Sequence, residues 1–290
     1  MGATATHIGL NLVFLVPGET GGMEVAAREL IPELLAAAPP GYRFTAFVNR
    51  RAASAAGDGP WGELLPQVTV PVDSRNRVQW VLGEQTLLPV LAGRARVDLV
   101  HSLASTAPLW GRFRRVVTIH DLIYAHFPET HRGIRDRGMR VLVPRAARRS
   151  DRVIADSENT RADLVAHLGL GRERIDVVPL GVATRGRPEA LAEDETRRRF
   201  DLADREVLLS LSAKLPHKNL DALIAALASI DPARRPLLVV PGYETPYETE
   251  LRGRAEALGV GEDVRFLGWV SAAELEGLWA LARAFVFPSL

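Results

Sequence analysis

The chain has no cysteine among its 290 residues. That absence excludes a disulfide framework, a thiolate nucleophile and a thiolate-bound metal, and it is compatible with a reducing compartment. Charge of one sign is missing too: 36 Lys and Arg face 35 Asp and Glu, for a net charge of +1. So there is no global electrostatic argument for a nucleic-acid partner. No uninterrupted apolar run approaches the ~20 residues of a membrane span. The N-terminus lacks the basic region and apolar core of a signal peptide. Together these absences lead us to expect a soluble, cytoplasmic protein. Short internal repeats and low-complexity tracts are absent as well. What remains is an ordinary globular composition, 47% hydrophobic and 24% charged, long enough for two domains with substantial cores.

The stretch Ser212-Ala213-Lys214-Leu215-Pro216-His217-Lys218-Asn219-Leu220 joins the apolar run Val207–Leu211, a buried strand, to a helical pattern that begins at Leu220. Two lysines thus sit where a strand hands over to a helix N-terminus, whose unpaired amides and dipole suit an anion such as a diphosphate. The same residues also read as a plain βα loop with solvated lysines.

A second anion-compatible turn opens the chain. Ile8–Val16 reads as a strand, Pro17–Gly22 as a turn, and Met23, Ala26, Ala27, Leu30 and Leu34 as one face of a helix, with Pro32 expected to kink or shorten it. Gly21 and Gly22 let backbone approach a ligand, or simply make a tight turn; the three-glycine dinucleotide fingerprint is absent. Phe44–Val48 and Val68–Val72 are short strands around an exposed loop, Arg50–Pro60. Arg75–Leu91 follows as a helix.

The strands Val97–His101 and Val116–Asp121 each end in a histidine. Ligands of open α/β sheets bind beyond the carboxyl ends of strands, so His101 and His120, with Asp121 beside it, stand where chemistry happens. A structural hydrogen bond is the other reading of each histidine. Ile134–Asp151 is an arginine-rich helix that could face an anionic membrane or solvent; the core's need for its apolar side favours solvent. Ser157 caps a helix that ends at Gly169, and Ala183–Pro188 is the best linker. Beyond it the βα rhythm repeats: helix Glu193–Phe200, strand Val207–Leu211, then strands Leu237–Pro241, Val264–Leu267 and Ala284–Phe287. Helices at Leu220, at Leu251–Leu258 and after a Ser271/Glu274 capping box separate them. The reading divides the chain into domain 1–184 and domain 185–290, both Rossmann-like α/β and facing each other across a cleft.

Eight pieces in order carry a family resemblance. They are Gly21-Gly22; Asp98-Leu99-Val100-His101; Val117-Thr118-Ile119-His120-Asp121 with Phe127-Pro128-Glu129; Val153-Ile154-Ala155-Asp156-Ser157 with Thr160-Arg161; Val178-Pro179-Leu180-Gly181-Val182; Pro216-His217-Lys218-Asn219; Phe266-Leu267-Gly268-Trp269-Val270; and Val286-Phe287-Pro288-Ser289. In these the whole chain resembles the retaining GT-B glycosyltransferases of family 4. The resemblance implies transfer of a hexose, such as mannose or glucose, from a nucleotide-diphosphate sugar to a glycan or lipid-linked acceptor. It implies retention by front-face attack, with no metal and no other cofactor, in agreement with the missing Asp-x-Asp motif. Lys218 then resembles the lysine on the donor diphosphate, Gly22 with Gly21 the phosphate-contacting loop, and His120 the histidine beside the donor sugar. Gly242 and Gly268 fall near the base and ribose, and His101 and Asp121 on the acceptor side. Where many relatives carry an arginine, this chain has Ala213, and Lys214 is expected to substitute in donor binding. Partners are then the donor and acceptor, with a peripheral contact at the inner face of the membrane as an extension and no nucleic acid. Family members continue into a helix with two glutamates that hold the donor, so the second domain is expected to be incomplete and the chain a fragment of low activity. A GT-B epimerase or phosphorylase, or a non-catalytic nucleotide- or sugar-binding module, are the competing readings.

Overall fold

The computed structural model describes residues 6–54, 64–126, 134–182 and 188–290. The chain divides into two compact units, Met1–Val182 and Ala183–Leu290. Phe127-Pro128-Glu129, the greater part of the Arg50–Pro60 loop and Ala183–Arg187 of the linker lie outside the described residues.

Unit 1 is built on seven strands: β1 (Thr6–Leu12), β2 (Tyr42–Asn49), β3 (Gln67–Val70), β4 (Leu99–Ser102), β5 (Arg114–Ile119), β6 (Arg152–Ala155) and β7 (Ile175–Val177). They form one sheet in the order β3-β2-β1-β4-β5-β6-β7, and every pairing is parallel. Strands covered on both faces must be apolar on both, which is why β1 and β2 read as near-continuous hydrophobic runs. Leu10, Leu12, Ala46, Phe47 and Val48 are all fully buried.

Unit 2 holds β8 (Val207–Leu209), β9 (Leu237–Val240), β10 (Val264–Phe266) and β11 (Ala282–Phe285) in the order β10-β9-β8-β11, again all parallel. Every residue of β9 is buried. In both units the first strand of the unit lies between its second and its fourth. Chain order therefore reverses direction there, at β1/β4 and at β8/β11, and a crevice opens at the carboxyl ends of such a pair.

Several local expectations needed correction. β1 ends at Leu12, not Val16; the run up to Val16 continues as buried turn. Pro32 does not shorten its helix, which runs through Gly22–Ala37. Residues Arg50–Ser54 of the expected loop are a helical turn, seeded by Asn49, whose Oδ1 accepts the amides of Arg51 and Ala52. The Arg75–Leu91 pattern begins after an Asn76 cap and contains a π-helical turn, Gly83–Leu87, before Leu88–Arg94. Ser157, Gly169 and the Ser271/Glu274 capping box hold the positions the sequence implies. No helix among the described residues is long and apolar enough to cross a membrane.

Candidate functional site

The two direction-reversal points, one in each unit, carry the residues that the motifs single out. In unit 1 the loop after β1 is braced internally. The Val16 amide donates to Thr20 Oγ1 (2.7 Å), and the Gly18 amide donates to Glu24 Oε2 (2.9 Å), whose other oxygen is held by Arg28. Gly21 has φ 68° and ψ −137° and no side chain caps the helix it opens, so a residue without Cβ is required there. Gly22 has ordinary φ and faces open space; its glycine leaves the first helical turn uncovered.

His120 sits just past β5. Its Nδ1 lies 2.6 Å from Asp156 Oδ2 and its Nε2 2.9 Å from the Leu103 carbonyl, while its own carbonyl accepts the Thr160 hydroxyl. Both ring neighbours can only accept, so both ring nitrogens donate and the imidazolium is the species these partners select. Burial works against that charge, but the Asp156 carboxylate and the Leu103 carbonyl outweigh it and hold the pKa above the usual histidine value. A ligand oxygen that takes a proton contact from Nε2 must displace the Leu103 carbonyl. His101 differs: its Nε2 pairs with Thr118 Oγ1 at 2.9 Å and burial pushes its pKa down to about 4, so it is neutral near pH 7. Asp121 is exposed, and its Oδ1 accepts the Ile123 amide at the start of the helical turn Ile123–His126.

Beneath these residues lies a buried polar cluster that spacing did not reveal. Glu84, in the π turn, accepts from Asn11 Nδ2 (2.8 Å), the Thr106 hydroxyl (2.9 Å) and Gln85 Nε2 (3.1 Å), and Asn11 also donates to Ser102 Oγ. It ties the ends of β1 and β4 to the loop that supplies the Leu103 carbonyl.

In unit 2 the two lysines separate completely. Lys214 is 0% exposed. Its ammonium donates to the carbonyls of Gly242 (2.6 Å) and Leu267 (2.8 Å) and pairs with Glu248 Oε2 at 3.0 Å. It therefore knits together the loops that follow β8, β9 and β10. The expectation that Lys214 substitutes in donor binding is corrected: a lysine with its charge enclosed by two carbonyls and a carboxylate has no direction left for a phosphate.

Lys218 ends a 3-10 turn, Pro216–Lys218, immediately before Asn219 (φ 55°) and the helix Leu220–Ala228. It is half-buried, and its Nζ stands 5.2 Å over the ring of Phe287, from the segment after β11. Asn219 Nδ2 donates to the Pro288 carbonyl and the Leu290 amide to the His217 carbonyl, so the loops after β8 and β11 are stitched together. Gly242 has φ 137°, and a Cβ there would come within 3.1 Å of the Ser212 carbonyl, so glycine is demanded twice over. Its amide donates to the Gly268 carbonyl; Gly268 itself faces open space. Sequence reasoning missed Glu248, Glu84 and Asn11 as structural partners. Asp156 was visible only as part of a motif, without a role. A cavity of about 490 Å³ beside His7, Tyr42, Arg43 and Thr45 lies at the opposite, amino-terminal ends of the strands and holds none of these residues.

Two parallel α/β units with polar constellations at their reversal points define the class, a double Rossmann-like protein of GT-B type. Residues 20–185 match the family model described as Glycosyltransferase Family 4, and residues 192–290 that described as Glycosyl transferases group 1, so the chain belongs to this glycosyltransferase family. It is 31% identical over 232 residues to the GDP-mannose-dependent alpha-(1-6)-phosphatidylinositol monomannoside mannosyltransferase of Mycobacterium tuberculosis, which covers 78% of this chain and 55% of that protein. It is 29% identical to the alpha-monoglucosyldiacylglycerol synthase of Streptococcus pneumoniae, over 69% of this chain and 48% of that protein. The chain thus spans about half the length of the curated relatives it matches. Among solved structures the fold is similar to WaaG, a glycosyltransferase involved in lipopolysaccharide biosynthesis (TM-score 0.70, 20% identity, 97% of this chain and 75% of that one). It is also similar to Anabaena HepE in complex with UDP and glucose (TM-score 0.67, 19% identity, 98% of this chain and 74% of that one).

Proposed function

We propose that this protein transfers a hexose from a nucleotide-diphosphate sugar to a glycan or lipid-linked acceptor, with retention of anomeric configuration. The observation that carries the reading is the position of Lys218: a half-buried cation at the β8/β11 reversal point, next to a helix start, in a loop held rigid by Asn219 and Leu290. A cation and helix amides fixed at one point are complementary to a diphosphate and to the charge that grows on it as the glycosidic bond breaks. Each charge-assisted hydrogen bond to phosphate contributes about 1.5–3 kcal/mol. In the reaction the acceptor hydroxyl bonds to the anomeric carbon on the face that the diphosphate leaves. The bond from that carbon to the phosphate oxygen breaks, and a leaving-phosphate oxygen takes the hydroxyl proton. The reading assigns Gly21 and Gly22 to the phosphates, His120 to the sugar, Gly242 and Gly268 to the nucleoside, and His101 and Asp121 to the acceptor. Lys214 acts only by holding the strand ends. This reading assigns leaving-group charge to Lys218 and amides rather than to a metal ion, so activity is expected to persist in EDTA.

Relatives whose names carry phosphatidylinositol monomannoside and monoglucosyldiacylglycerol support a lipid-linked acceptor. The helix Ile134–Arg149 supports a peripheral contact with an anionic membrane. Arg140, Arg145, Arg148 and Arg149 are exposed while Val143, Ala146 and Ala147 enter the core.

The test is calorimetric binding of UDP and GDP to the protein as encoded and to Lys218→Ala, followed by NMR assignment of the anomeric product from GDP-mannose and UDP-glucose. Loss of diphosphate binding in the variant with an unchanged melting temperature, and a product of retained configuration, are expected. Unchanged affinity in Lys218→Ala removes the lysine from the donor site. An inverted product, or a free epimerised or phosphorolysed sugar without acceptor, overturns the transferase reading.

A further inference from the structure

We propose that His126, Asp163 and His167 form a binding site for a divalent transition-metal ion of the zinc class, on unit 1 and separate from the residues assigned to sugar transfer. The three side chains come from two elements. His126 ends the helical turn Ile123–His126 that follows β5, and Asp163 and His167 lie on the helix Glu158–Leu168 that follows β6. A spacing of four places Asp163 and His167 above one another on one helix face, the arrangement that lets two side chains of a helix share one ion. One ligand atom from each residue can be chosen so that all three lie within 4.8 Å of one another. His126 Nε2 is 2.7 Å from Asp163 Oδ2, and the rings of His126 and His167 meet edge to face with centroids 5.3 Å apart.

Tetrahedral zinc with bonds of about 2.0–2.1 Å needs its ligand atoms roughly 3.3 Å apart, so the pair at 2.7 Å must open slightly and the third atom close in. Both changes are within reach of side-chain rotation, because none of the three residues is buried and His126 keeps 43% of its side-chain surface.

The donor set favours a particular ion. Two imidazoles and one carboxylate suit zinc, copper, nickel or cobalt, whereas calcium and magnesium ask for all-oxygen cages. Thiolates cannot compete, since the chain has no cysteine. The other described histidines are committed elsewhere: His7 and His217 are buried, His101 faces Thr118, and both nitrogens of His120 are bonded. His126 and His167 are the described pair that converges at the surface.

Three protein ligands leave a fourth position to water, but the placement argues for a clamp rather than a reagent. The helix Glu158–Leu168 begins just after Asp156, which holds His120, and its Thr160 binds the His120 carbonyl. An ion joining His126 to Asp163 and His167 therefore replaces the direct His126–Asp163 contact, the third tie between the segment after β5 and the helix after β6, with metal bonds that also engage His167.

The test uses metal-free protein titrated with Co²⁺ and Zn²⁺. We expect one equivalent of Co²⁺ with the intense visible d–d bands of a four-coordinate N/O site, displaced by Zn²⁺, and a melting temperature raised by Zn²⁺. Asp163→Asn and His167→Ala each replace a side chain that is not buried, and each is expected to weaken Zn²⁺ binding about tenfold or more and abolish the thermal shift. Circular dichroism verifies their fold. The proposal is overturned by failure of the wild type to bind more tightly than the triple variant His126→Ala/Asp163→Asn/His167→Ala, or by stoichiometric binding that survives both single substitutions. It does not rest on the transferase reading.

Discussion

Each unit buries a charged side chain beneath the ends of its strands, Glu84 in unit 1 and Lys214 in unit 2, and the two are opposite in sign. In unit 1 Glu84 gathers three neutral donors, the amides of Asn11 and Gln85 and the hydroxyl of Thr106. In unit 2 Lys214 gathers two backbone carbonyls and a carboxylate, Glu248, which also pairs with Arg252. The difference has consequences for titration. Burial pushes the Glu84 carboxyl up against the pull of its donors. Burial also works against the charge of Glu248, but Arg252 and Lys214 outweigh it and hold that carboxyl below its usual range. A buried charge with neutral partners stays sensitive to pH, while a buried pair is locked but fails badly when one partner is removed.

The largest expected effect is therefore at Lys214. Lys214→Met keeps the shape but leaves the Gly242 and Leu267 carbonyls without their donor and Glu248 with Arg252 alone, for a loss of about 3 kcal/mol confined to unit 2. Hydrogen exchange of the β8, β9 and β10 amides would record it; protection changed by less than about 1 kcal/mol would mean that other donors satisfy those carbonyls.

Next comes Asp156→Asn, which removes the anion beside His120. The folded pKa of His120 is raised above 6.5, so its stabilising contribution is complete below that value and fades as pH climbs through the raised pKa. The variant should lose about 1.5–3 kcal/mol at low pH, with a gap to the wild type that narrows in alkali. Imidazole NMR titration should show the His120 pKa falling, and an unmoved resonance would show that the Leu103 carbonyl alone sets it.

Glu84→Gln tests the other side of the comparison. A carboxyl whose folded pKa is raised stabilises fully below its unfolded value of 4.5 and loses that contribution as pH rises through the folded value. The wild type should exceed the variant by about 1 kcal/mol near pH 4.5, with the advantage shrinking or reversing toward pH 8. A constant difference across denaturation curves at several pH values would mean that Glu84 stays ionised.

Lys218→Ala should change stability least, within about 0.5 kcal/mol by urea denaturation, because its cation stands over an exposed ring rather than inside the core. A larger loss would make it a second Lys214.

Much of the fold was legible in order. Continuous apolar runs marked the two-sided strands, and Ser157, Gly169 and the Ser271/Glu274 box marked helix ends, because those signals act through neighbours in the chain. The site was legible in part. Motif spacing singled out His120 and Lys218, but it placed Lys214 in donor binding beside Lys218, which its burial excludes. Pro32 and the Gly83–Leu87 turn also escaped, since packing on the sheet overrides what those residues prefer in isolation.

The amino-acid sequence by itself determined the alternation of strands and helices, the glycine positions at the turns and the family. Only the tertiary structure decided which charges are buried and which face outward. Lys214 meets Gly242 and Leu267 across separations of 28 and 53 residues, and His120 meets Asp156 across 36. Partners that far apart leave no local period in the chain, and their effect on a charge depends on the water excluded when the strands close together.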